Sequence, residues 1–199
     1  MTDVTRRNLV TMSASALLVG STLTGCTTVK TGTVTSYMLD VAKIKAYGQA
    51  GLNAAQTILT FLNMYPNVNR FRTPMNSAVK ILNDTLTTFS DITGDQVTIS
   101  YDNTNIRTAV DSILIAIEQI ALLIKNITTM LSTESVVIPT TVSTRIQLVY
   151  DALVTVISVF KAVLLTSRTV GIAPPTMLSS KPTPQLVMNE SSALKILNV

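Results

Sequence analysis

The chain has 199 residues, 15 Lys and Arg against 11 Asp and Glu, no histidine and one cysteine. Without histidine, and with a single thiol, it lacks the usual ligands of zinc, copper and haem sites and cannot assemble Ser-His-Asp or Cys-His catalysis. Charged residues make up only 13% of the chain, too few and too dispersed for a nucleic-acid footprint, so no nucleic-acid partner is expected.

The first 26 residues read MTDVTRRNLVTMSASALLVGSTLTGC. A charged start with Arg6 and Arg7 precedes a weakly apolar run over residues 9–23, and the segment closes on Leu23-Thr24-Gly25-Cys26. This is the layout of a secretory signal, excluded from fold reasoning. The closing tetrad resembles the bacterial lipobox: an apolar residue, two small residues that let a peptidase approach the backbone, then the cysteine that receives the lipid. Thr5-Arg6-Arg7-Asn8-Leu9-Val10 resembles the twin-arginine (Tat) motif, with Arg6 and Arg7 as the export signal. Together they resemble a Tat-exported bacterial lipoprotein. The resemblance implies cleavage after residue 25 and a lipid anchor on Cys26. With Thr27 rather than Asp after the cysteine, it also implies sorting to the periplasmic face of the outer membrane in a Gram-negative source. It covers about the first 30 residues and says nothing of the mature domain.

Residues 26–35, with the sequence CTTVKTGTVT, read as a lipidated polar tether. Over residues 36–170, four segments place apolar residues at alternating spacings of three and four, the seam of a helix that packs on helices. The first is Tyr37, Val41, Ile44, Gly48, Gly51, Ala55, Ile58, Leu62 and Tyr65. Gly48 and Gly51 weaken this helix by about 1 kcal/mol each relative to alanine, and a close helix crossing accounts for them. Pro66 stops it.

The second seam is Met75, Val79, Leu82, Leu86 and Phe89, opened by Thr73-Pro74 as cap and first helical residue, and closed by Gly94. Residues 96–101 are rich in β-branched side chains and fit an extended segment. The third seam holds Ile106, Val110, Ile113, Ile117, Ile120, Ile124, Ile127 and Leu131, with Asp102, Asn103 or Thr104 able to cap it. Beyond Pro139, the fourth holds Val142, Ile146, Val149, Leu153, Val156, Phe160 and Val163. Residues 171–199 form a proline-containing tail in which Thr183-Pro184 could open a short helix bearing Leu186, Val187, Leu194 and Leu197. Short connections favour antiparallel neighbours, so the expected fold is all-α: an antiparallel up-down four-helix bundle with a short C-terminal helix or tail. With four helices the chain returns to the end where it began. That puts the 91–104 loop and the tail beside Cys26, and the 66–73 and 132–141 loops at the far end.

Three groups invite a functional reading. Arg70, Phe71 and Arg72 bracket an aromatic with two guanidinium groups, residue types favoured at interface hot spots; a solvated loop whose Phe71 plugs the bundle end is the plainer explanation, and the three residues are still the best candidate binding surface. Asp91, Asp95 and Asp102 lack the alternating spacing of an EF-hand loop and read as helix-end caps. Glu118, Gln119 and Asp151 lack the Glu-x-x-His pattern of a di-metal bundle and read as solvated outer-face residues. Residues 112–124 and 148–165 are apolar enough to ask whether they span a membrane, but Glu118 would cost about 3 kcal/mol at a bilayer centre. The sequence therefore predicts no enzyme, no metal and no cofactor. It points to a lipid-anchored helical protein that binds an envelope protein or cell-wall partner. A membrane-active or lipid-binding bundle using the third and fourth helices is the alternative.

Overall fold

In a computed structural model, residues 26–31, 34–133, 138–166 and 188–199 are described; Arg6, Arg7 and Thr183-Pro184 lie outside them. The described chain is predominantly helical. Four long helices, α1 (Val41–Met64), α2 (Arg72–Thr93), α3 (Thr104–Thr133) and α4 (Thr140–Thr166), the first two joined by a 3-10 turn (Pro66–Phe71), are followed by a short α5 (Glu190–Ile196). Three strands, β1 (Cys26–Thr31), β2 (Val34–Asp40) and β3 (Thr98–Ser100), make one antiparallel sheet in the order β1-β2-β3.

The strands differ from the expected tether. Thr27, Thr28, Val29 and Thr31 of β1 and Val34 and Thr35 of β2 are β-branched, and the two strands pair antiparallel, with Cys26 opposite Leu39 and Thr31 opposite Val34. Consequently α1 starts at Val41, not at Tyr37, with the Asp40 carboxylate accepting from the Lys43 amide at 3.1 Å as its cap. The expected extended segment at 96–101 is β3, whose Ile99 pairs with Leu39. The Val41 amide donates to the Val97 carbonyl at 3.0 Å, tying this loop to the start of α1.

α2 also begins differently. The 3-10 turn after Tyr65 runs directly into the helix at Arg72, so Thr73 is inside the first turn and is not the cap. Pro74 is tolerated there because first-turn amides have no intrahelical acceptor. Gly94, at φ +51°, closes α2 as expected, its amide donating to Ser90. Asn103 caps α3: its side-chain oxygen accepts from the Asn105 and Ile106 amides.

Gly48 and Gly51 lie where α1 meets α2 and α3. A Cβ on Gly48 would collide with Leu86, and one on Gly51 would lie 2.9 Å from Leu82 and 3.0 Å from Ile117. The missing side chains at both positions let α1 approach its neighbours closely. Tyr47 meets Phe160 of α4, ring centroids 5.1 Å apart, and α3 packs against α1, α2 and α4. The core is continuous across all four long helices, with Ile58, Leu82, Ile113, Ile117, Ile124 and Phe160 fully buried.

Candidate interaction surface

Arg70, Phe71 and Arg72 do come together, on the turn between α1 and α2. Phe71 is half-buried against the core below Val68, which is fully buried. The Arg70 guanidinium lies 5.3 Å from the Phe71 ring centre, a cation–π stack of modest strength at an exposed site. Arg70 and Arg72 are exposed. The turn is thus both a plug and a basic surface: the aromatic belongs to the core, and the guanidinium groups face solvent.

Asp91, Asp95 and Asp102 are exposed and separate. Among the described residues no three acidic, histidine or cysteine side chains converge to hold a metal. Asp102 takes a hydrogen bond from Ser100 Oγ at 3.5 Å, a local turn contact. On the same end of the molecule, Tyr101 Oη donates to Asp111 Oδ1 at 2.5 Å, and Arg107 lies 5.7 Å from the Tyr101 ring centre. These contacts close the β3–α3 connection.

Glu118 departs most from expectation. It is not a solvated outer-face residue; it is completely buried, and its carboxylate is 2.5 Å from the Lys161 ammonium of α4. The reason is position. α3 is covered on several sides, so Leu114, Glu118 and Ala121 form a second inward stripe beside the Ile113–Ile117–Ile120 seam. That stripe, at spacings of four and three, was the available signal. Asp151, by contrast, is half-exposed and accepts from Gln147 Nε2 at 2.9 Å.

Two surface grooves flank the N-terminal half of α4. One, of about 610 Å³, runs between the end of α3 and α4, over Leu131, Ile138, Gln147 and Leu148. The other, of about 380 Å³, lies between the end of α1 and α4, over Phe61, Met64, Val142, Arg145 and Ile146. Sequence reasoning missed both, because a seam shows which residues face inward and not where a neighbouring helix falls short of covering them.

α3 and α4 are each long and apolar enough to cross a membrane, with mean hydropathy of 1.6 and 2.0 in their most apolar stretches, of which 56% and 50% is buried within the protein. Core helices of this kind need no bilayer to explain their composition. No protein family, curated protein or solved structure matches the chain.

Proposed function

We propose that the protein is a lipid-anchored, non-enzymatic component of the bacterial envelope, exported by the twin-arginine route and holding an envelope protein or cell-wall partner. In a Gram-negative source it faces the periplasm from the outer membrane. The observation that carries this reading is Leu23-Thr24-Gly25-Cys26, the lipobox-like tetrad whose cysteine is the first residue of β1. Pairing of Cys26 with Leu39 adds to it. The anchor point lies one strand from the start of α1 and two from Ile99, about 10 Å at ordinary strand spacing, so the body rests close to the lipid and does not swing on a long leash.

The four long helices are read as an antiparallel up-down bundle. Supporting contacts are Gly48 with Leu86 and Gly51 with Leu82, which run α1 against α2. Tyr47 with Phe160 and the shared lining of the second groove run α1 against α4. Glu118 with Lys161 and the lining of the first groove do the same for α3 and α4. In that arrangement Arg70, Phe71 and Arg72 and both grooves are held at the end far from Cys26, where a partner is met. Binding rather than catalysis is favoured by a chain without histidine whose only cysteine carries the lipid.

Intact-mass analysis of the membrane-extracted protein tests the reading. A mature chain beginning at Cys26 and carrying a diacylglyceryl group is expected; a free Cys26 thiol, or cleavage elsewhere, rejects it. A membrane-active function is the second reading, favoured by the two apolar helices whose buried charges, Glu118 and Lys161, neutralise each other. Release of dye from anionic liposomes by the purified protein would support it.

A further inference from the structure

α5 shows what the face between α1 and α4 accepts. This short helix packs on α4, buries Ala193 and, at its C-cap, Leu197, and leaves Ser191, Ser192 and Lys195 exposed. Its Glu190 carboxylate is 3.3 Å from Lys43 Nζ of α1 and accepts from Tyr47 Oη at 2.7 Å. Its end is fastened by Asn53 Nδ2, which donates to the Leu197 carbonyl at 2.8 Å and the Asn198 carbonyl at 3.2 Å. An acidic side chain at one end and apolar side chains about one turn apart are therefore the features that this face recognises.

The same face continues beyond α5. Lys43, Tyr47 and Asn53 share one side of α1 with Thr57, Phe61 and Met64 at helical spacing. Past Asn53 no described element covers it, and the groove of about 380 Å³ opens between α1 and α4. Its floor is Phe61, Val142 and Ile146, and Met64 stands at its rim, 61% exposed. Arg145 borders the groove, is exposed, and makes no hydrogen bond or ion pair among the described residues; no acidic side chain lines the groove. From Thr57 to Met64 the open length is about 10 Å, two helical turns. The open half thus shares apolar surface and a bordering cation with the filled half, the cation being Arg145 of α4 here and Lys43 of α1 beside α5.

We infer that the open half of the α1–α4 groove docks an acidic amphipathic helix of a partner protein. Such a helix would seat two apolar side chains about one turn apart on Phe61, Val142 and Ile146, and set a carboxylate against Arg145. Met64 supplies an adaptable apolar wall of the kind found at helix-binding grooves. The inference rests on the proposed role of holding an envelope partner and names the class of partner.

The test uses the purified full chain and a fluorescein-labelled helical peptide of two to three turns, carrying Leu at i and i+4 and one Glu a turn away. A second peptide has Lys in place of that Glu. Saturable binding of the Glu peptide is expected, weakened at least tenfold by Arg145→Glu and by Met64→Lys, with the Lys peptide preferred by the Arg145→Glu protein. Unchanged far-UV circular dichroism of both variants confirms that they fold. Three results overturn the inference: equal binding of both peptides to the parent protein, no effect of either substitution, or a protein dimer in sedimentation that Met64→Lys dissociates, which would make a second copy the occupant. Binding that appears only after deletion of residues 167–187 would give the groove to the chain's own segment and overturn it too. The peptide assay does not depend on the lipid. Failure here with a diacylglyceryl group on Cys26 rejects the groove alone, and success without that group rejects the anchor alone.

Discussion

Glu118 and Lys161 join α3 to α4 through a carboxylate with no exposure and an ammonium side chain that is 10% exposed. Replacing Lys161 by Met keeps most of the stem's packing and removes only the charge, leaving Glu118 without its counter-ion in the interior. Loss of one partner from a buried pair costs about 3–5 kcal/mol, whereas replacing both by apolar residues of similar size is neutral or stabilising by about 1–4 kcal/mol. A domain of this size has a total stability of about 5–15 kcal/mol, so the single change removes a large share. With a urea slope of about 2 kcal/mol per molar, Lys161→Met should lower the unfolding midpoint by about 2 M. Glu118→Leu with Lys161→Met should return it to the parent value or above. Urea titration followed by far-UV circular dichroism measures both. If Lys161→Met costs less than about 1 kcal/mol, or the double variant is no more stable than the single one, the pair is solvated and its assignment as an α3–α4 tie is wrong.

The two α1 glycines should separate on substitution. Gly51→Ala pushes a methyl between the fully buried Leu82 and Ile117, so overpacking of about 1–3 kcal/mol outweighs the helix gain of about 1 kcal/mol. Gly48→Ala meets only the half-buried end of Leu86, which can swing aside, and its midpoint in the same urea titration should stay the same or rise. Burial, and then the hydrogen bond to Glu190, raise the Tyr47 phenol well above its ordinary value of 10.0. A phenol protonated in the fold but ionised in the unfolded chain gives stability that is complete below pH 10 and falls as pH rises beyond it. Thermal melts at pH 9 and pH 11 should show this fall, and Tyr47→Phe should reduce it. Asn53→Ala removes the hydrogen bonds to the Leu197 and Asn198 carbonyls; amide exchange should then show α5 losing protection while α1 and α4 keep theirs.

The long helices were legible because their seams recur over many turns, and because Pro66, Gly94 and Asn103 mark ends by local chemistry. β3 was legible from its β-branched run. The β1–β2 hairpin was not, since a strand in residues 26–40 depends partly on β3, some sixty positions away, and no local propensity announces a distant partner. Thr73-Pro74 resembled a helix start because a cap is judged locally, whereas the preceding 3-10 turn already supplied the first turn. α5 opens at Asn189, whose side chain accepts from the Ser192 amide at 2.8 Å, while Thr183-Pro184 lies outside the described residues. At the candidate surface, Arg70, Phe71 and Arg72 were found by composition alone. Arg145 and Met64 were not, because their significance lies in a groove between helices far apart in sequence. Glu118 was misjudged because one seam was assigned to a helix that has neighbours on several sides.

In the proposed function Cys26 carries the anchor and the helices form a folded body beside the membrane, not within it. Fractionation of cells producing the parent protein and Cys26→Ser tests this most directly, with circular dichroism on both purified chains. The parent is expected in the membrane pellet, released by detergent but not by salt. Cys26→Ser is expected in the soluble exported fraction, with the same helical signal. Retention of a folded Cys26→Ser protein in the membrane would contradict it and would make α3 and α4 the anchor.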